Sequence, residues 1–190
     1  MNKDSFNIVI DFDNTLQALR KQLESGQERL VLVESCTAGI VCGLLGQIPG
    51  ISQFLCGSMV VYRNESKAQW LGIPRSLLDD PDIGPVSHEV TQRLALAALE
   101  RTPEATIAAA ITGHLGPNAP LELDGHVFCC VARRQPDEAI KSIEQRLSCS
   151  APLDNDDWRA RKQRQLEAAK LLILLIDSAL RRAGEISDRI

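Results

Sequence analysis

Leu30-Val31-Leu32-Val33-Glu34-Ser35-Cys36-Thr37-Ala38-Gly39 is the stretch around which the chain is organised. Its short apolar run reads as a buried strand. The run ends at small polar residues and passes into Ile40-Val41-Cys42-Gly43-Leu44-Leu45, which reads as a buried helix. Ser35 therefore stands where a strand feeds a helix. Backbone N–H groups at a helix start are unpaired and favour negative charge. A hydroxyl at such a corner can attack a carbonyl, with donors waiting for the oxyanion. The simpler role for Ser35 or Thr37 is to cap the helix.

Bulk properties narrow the classes. A chain of 190 residues suits one domain and buries a substantial core. A formal net charge of −4 leaves no electrostatic footprint for nucleic acid. The basic run Arg159-Ala160-Arg161-Lys162-Gln163-Arg164 follows acidic residues and reads as a solvated helix face before an anion contact. The opening Phe6-Asn7-Ile8-Val9-Ile10 is too short for a signal sequence, and Leu171 to Ile176 is too short to cross a bilayer. A cytoplasmic protein without membrane contact is expected. Six cysteines, Cys36, Cys42, Cys56, Cys129, Cys130 and Cys149, form no C-x-x-C pair and read as reduced, mostly buried thiols. With histidines far apart in sequence, no zinc or other metal is expected.

Further along, Phe54 to Tyr62 reads as a strand, Asn64 as the cap of a helix and Gly72 as its stop. Lys67 then falls in the first turn, where the dipole and free N–H groups oppose a cation. A neutral amine is what a serine–lysine pair requires of its base. The alternative is a surface lysine without a task. Ser87 caps the next helix, with Val90, Leu94, Ala97 and Ala98 on one face. Thr106 to Ile111, Gly125 to Val131 and Ala139 to Leu147 read as strands, and Asp154 to Arg182 as a helix with Leu166, Ala169, Ile173, Ile176 and Leu180 inward. Trp158 reads as a packing residue. The alternation predicts a layered α/β domain.

Near the start, Ile8-Val9-Ile10-Asp11-Phe12-Asp13-Asn14-Thr15 resembles the D-x-D-x-T motif of haloacid-dehalogenase-type phosphatases, with Asp11 as nucleophile. The competing reading is a helix capped by Asp13 or Asn14 and carrying Leu16, Leu19 and Leu23 on one face. Asn155-Asp156-Asp157 is the only late acidic group that could complete the phosphatase layout.

Four segments in register resemble the CinA C-terminal domain family, whose characterised members are nicotinamide mononucleotide deamidases. Glu34-Ser35-Cys36-Thr37-Ala38-Gly39 is similar to its E-S-C-T-G-G. Val61-Tyr62-Arg63-Asn64-Glu65-Ser66-Lys67 is similar to T-Y-S-N-E-A-K, and Ala110 to Pro117 to A-I-T-G-I-A-G-P. Between them Gly84-Pro85-Val86-Ser87-His88-Glu89-Val90 resembles G-A-V-S-x-E-V. The resemblance runs from about Leu16 and implies one domain over residues 1–190, with 1–15 as an N-terminal extension. It implies a three-layer α/β/α sandwich with a mixed, mostly parallel sheet, a homodimer, and a stand-alone form.

It also implies an amidase without cofactor or metal. Ser35 would be the nucleophile, Lys67 the base and Tyr62 an orienting or relaying group. Cys36, Thr37, Gly39, Asn64, Thr112 and Gly113 would bind a nucleotide substrate, and Thr112, with nearby backbone N–H groups, would steady the oxyanion or hold substrate. The chain departs from the pattern at Ala38, His114 and Leu115, in the loop Asn118 to Asp124, and at His126. The family's substrate arginine has three competitors, Arg159, Arg161 and Arg164. These departures raise a second expectation, a degenerate member that binds a nucleotide or a partner without chemistry.

Overall fold

Strand β1 (Leu30–Glu34) lies inside the sheet with β2 (Leu55–Val60) on one side and β3 (Ile107–Gly113) on the other. It is parallel to both, with Leu30 opposite Ile107 and Glu34 opposite Ile111. Strands β4 (His126–Arg133) and β5 (Lys141–Arg146) follow antiparallel, completing a five-stranded sheet in the order β2-β1-β3-β4-β5. Four strands thus point one way and β4 the other, while the strand pairings divide evenly between parallel and antiparallel. The computed structural model describes residues 3–117, 119–134, 141–146 and 158–187.

Alternation along the strands builds two cores. Leu30 and Leu32 face helices α1 (Lys3–Ser25), α2 (Ile40–Leu45) and α6 (Trp158–Ser187), packing with Leu19, Leu23, Val41, Leu45, Leu172, Ile173 and Ile176. Val31 and Val33 face helices α3 (Asn64–Leu71), α4 (Arg75–Leu78) and α5 (His88–Arg101), packing with Leu71, Leu78, Val90 and Leu94. Burying each Leu or Val contributes about 1.5–3 kcal/mol relative to exposure. The alanines of β3, Ala108 to Ala110, are fully buried between the two layers and let the helices approach closely. The result is the three-layer α/β/α arrangement.

The N-terminal segment corrects two readings. Helix α1 runs unbroken from Lys3 to Ser25, so neither Asp13 nor Asn14 caps it. Asp11 to Thr15 lie inside that helix, and the strand-to-loop setting the phosphatase motif needs is not there. Leu16, Leu19 and Leu23, spaced three and four apart, are buried and hold the segment helical against the core. On α6, Ala169, Ile173, Ile176 and Leu180 are buried as expected, but Leu166 is partly exposed. Trp158 is largely exposed rather than packed, with the cations of Arg159 and Lys162 near its ring. The five described cysteines are free thiols. Cys149, Asn118, Asp154 and Asn155-Asp156-Asp157 lie outside the described residues. Among the described residues no helix is long and apolar enough to cross a membrane, and no metal-ligand cluster forms.

Candidate active site

The β1 ladder continues one residue past the strand, where the Ser35 N–H donates to the Ile111 carbonyl at 3.1 Å. Ala38 (φ 53°) and Gly39 (φ 96°) then turn the chain in left-handed conformations into α2. The helix start is not an open anion site. The Glu34 carboxylate, fully buried, folds back onto it. It accepts from the N–H groups of Gly39 (3.0 Å), Val41 (3.0 Å) and Cys42 (2.9 Å), and from the hydroxyls of Thr37 (2.8 Å) and Ser58 (3.1 Å). A buried carboxylate needs such donors, and a helix start supplies them. Glu34 therefore caps α2, in place of Ser35 or Thr37. The N–H groups of Ala38 and Ile40 bond the carbonyls of Ser35 and Thr37. Of the N–H groups from 35 to 42, those of Cys36 and Thr37 alone have no carbonyl or carboxylate acceptor among the described residues.

Strand alternation puts Ser35 on the same face as Val31 and Val33, the face that α3 covers. Helix α3 is capped one residue earlier than the sequence suggests. Arg63 is the N-cap, with its N–H and carbonyl both bonded to the Ser66 hydroxyl, and Asn64 is the first helical residue. Lys67 stands in the first turn and is 2% exposed, which rules out the surface lysine. Burial pushes its pKa below that of an ordinary lysine, opposed in part by the nearby Cys36 thiol. The carbonyl of Glu34 accepts from the Val61 N–H at 2.8 Å, which holds the chain leading to Lys67 against the Ser35 turn. No hydrogen bond joins Ser35 and Lys67 among the described residues.

Thr112 is fully buried and its hydroxyl lies 2.8 Å from that of Thr91. Thr91 spends its one proton on the Ser87 carbonyl at 2.6 Å. Thr112 must therefore donate to Thr91, and has no proton left for an oxyanion. The resemblance implies that Thr112 steadies the oxyanion or holds substrate, and the α5 contact takes up the proton the first role would use.

A cleft of about 220 Å³ opens beside the carboxyl ends of β1 and β3, lined by Cys36, Tyr62, Gly113 to Pro117, Ala119 and Arg161. Open α/β sheets bind ligands at this end. Of the expected site residues, Cys36, Gly113 and Tyr62 line it. Ser35, Thr112, Lys67, Thr37, Gly39 and Asn64 do not. Gly113 is required here, since a Cβ would meet the Cys36 sulfur and the His126 carbonyl at 3.0 Å each. Burial pushes the Cys36 thiol up to about 12, which favours its protonated form over the thiolate. Tyr62 is half-exposed and its hydroxyl accepts from Arg161 at 2.7 Å, rather than bridging Ser35 and Lys67.

The three candidate arginines separate clearly. Arg161 reaches into the cleft, bonding Tyr62 and the Gly116 carbonyl. Arg164 is buried and pairs with both Asp124 oxygens at 2.7 and 2.8 Å. That pair holds the Asp124 carboxyl below the usual range and anchors the altered loop. Arg159 is exposed near Trp158. Sequence reasoning missed Glu34, although its in-phase position with Leu30 and Leu32 was a usable signal.

The CinA C-terminal domain model matches residues 13–151. A CinA-like protein of Chlorobium phaeovibrioides is 33% identical over 174 residues, 90% of this chain and 38% of that protein. One of Mycobacterium tuberculosis is 42% identical over 90 residues, 47% of this chain and 20% of its own length. The chain thus spans well under half the length of these relatives. Among solved structures, a competence/damage inducible protein from Agrobacterium tumefaciens superposes with a TM-score of 0.76 at 25% identity, covering 90% of this chain and 96% of the other. A CinA superfamily protein from Klebsiella pneumoniae shares the fold, with a TM-score of 0.76 at 20% identity over 90% of this chain and 98% of its own. With the matched segment taking in the β1 corner, Lys67 and the cleft loop, the chain belongs to the CinA C-terminal domain family.

Proposed function

We propose that the chain is an amidohydrolase that converts nicotinamide mononucleotide to nicotinic acid mononucleotide and ammonia. The observation that carries this is Lys67: an amine 2% exposed, with its charged form disfavoured, on the sheet face that Ser35 shares. Such a lysine is costly to keep unless its lone pair is used. Lys67 takes the Ser35 hydroxyl proton as the oxygen attacks the carboxamide carbon. The carbon–nitrogen bond then breaks, and ammonia leaves with the proton Lys67 returns. Water, giving its proton to Lys67, hydrolyses the acyl-serine and restores both groups. The Cys36 and Thr37 N–H groups meet the oxyanion, and Arg161, which lines the cleft, meets the phosphate. No step is routed through a metal or cofactor, and the reading includes a cytoplasmic homodimer.

A second reading, a nucleotide-binding member without chemistry, draws on the missing hydrogen bond between Ser35 and Lys67. Ammonia release measured across nicotinamide mononucleotide, nicotinamide riboside and NAD separates the two. The amidase reading expects the mononucleotide to be preferred. Tight binding of all three with no ammonia from any would reject it in favour of the second.

A further inference from the structure

His114 stands where the family pattern has an apolar residue, and it lines the cleft. Its backbone is fixed twice over. Its N–H donates to the His126 carbonyl at 2.8 Å, and its own carbonyl accepts from Gly125 at 2.7 Å. A Cβ on the residue before it, Gly113, would collide with the Cys36 sulfur, and two residues beyond it Gly116 offers its carbonyl to Arg161. The half-buried imidazole is hydrogen-bonded by no described residue. Burial, aided by His126 and opposed by Asp124, holds its pKa below that of a free histidine. A neutral ring carries one donor and one acceptor.

We infer that His114 is a specificity-determining residue that hydrogen-bonds the ribose hydroxyls of a carboxamide ribonucleotide. The inference rests on the amidase reading for its substrate. The carboxamide belongs beside Ser35 and Cys36 and the phosphate on Arg161, and His114 lines the same cleft as Cys36 and Arg161. The sugar that joins those two groups is the part of such a ligand left for His114 to meet. An apolar residue there would be indifferent to its hydroxyls, whereas a site built to bond a hydroxyl rejects the analogue that lacks it.

The test measures Kd by calorimetry for nicotinamide mononucleotide and its 2′,3′-dideoxy analogue. The full chain carries Ser35→Ala to stop turnover, and is compared with and without His114→Ile. One hydrogen bond of ordinary strength makes the expected preference for the ribonucleotide about tenfold. His114→Ile should abolish that preference while leaving the Kd of the dideoxy analogue unchanged, and His114→Gln should retain most of it. Equal affinities with His114 present, a preference surviving His114→Ile, or no binding of either nucleotide would each overturn the inference. Failure of the amidase reading is seen separately, as ribose discrimination in a wild-type chain that releases no ammonia.

Discussion

The guanidinium of Arg161 donates to the hydroxyl of Tyr62 at 2.7 Å, joining two side chains 99 residues apart at the rim of the cleft. A planar, permanently charged group in this position is suited to an anion. Arg161→Ala should raise KM for nicotinamide mononucleotide about ten- to hundredfold, the worth of a hydrogen bond to a charged group. Nicotinamide riboside, which has no phosphate, should be unaffected. Steady-state kinetics on both substrates checks this.

Glu34 should be intolerant of its own amide. Glu34→Gln keeps the shape but turns an NH₂ group toward donors that need an acceptor. The expected cost is about 2–4 kcal/mol of stability, the range for leaving buried polar groups unpaired. Because Gly39, Val41 and Cys42 all lose acceptor strength, the Ser35 turn loosens as well. Turnover should therefore fall even at temperatures where the variant remains folded, as read by circular dichroism and ammonia release on the same sample.

Replacing Lys67 should move stability and activity in opposite directions. Its folded pKa lies below the ordinary value of 10.5, because burial disfavours the cation. Between those two values the unfolded chain holds the proton and the folded chain does not. Stability from this residue therefore rises with pH across that window and levels off above the ordinary value. Lys67→Met removes the cost of burying an ionisable amine, and the melting temperature at neutral pH should rise by about 2–4 °C while ammonia release is lost. In the wild-type chain kcat/KM should climb with pH along a limb whose midpoint lies below that of a free lysine.

Ala38 is a strained position. At φ 53° an L-residue with a Cβ is disfavoured by about 1 kcal/mol or more. Ala38→Gly, which restores the family's motif, should raise the melting temperature by about 2–4 °C. The substitution acts on the backbone of the turn and not on a wall of the cleft. KM should therefore remain within about twofold of the wild type.

Much of the fold is readable because its signals are local. Leu30 to Val33, Ala108 to Ile111 and Val127 to Val131 are apolar runs of strand length, and Ser87 caps α5 through the Val90 N–H as its type and position indicate. The N-terminal stretch is harder. Ile8-Val9-Ile10 is β-branched and strand-like alone, and only packing of Leu16, Leu19 and Leu23 against the core settles it as helix. At the site, a residue's type and spacing located Lys67 and its burial, but not what each hydroxyl's proton does. The role of Thr112 depends on Thr91, and the fate of the α2 donors depends on Glu34 and Ser58. Those partners meet only in three dimensions. The separation of Arg161 from Arg159 and Arg164 has the same cause, since successive positions on one helix face different neighbours.

The direct test of the central claim compares ammonia release from nicotinamide mononucleotide by the wild-type chain, Ser35→Ala and Cys36→Ala. If the Ser35 alcohol is the nucleophile and the protonated Cys36 thiol a cleft wall, Ser35→Ala should lose at least about a thousandfold in kcat while Cys36→Ala stays within about tenfold. Wild-type turnover by Ser35→Ala, with activity lost in Cys36→Ala instead, would contradict the account.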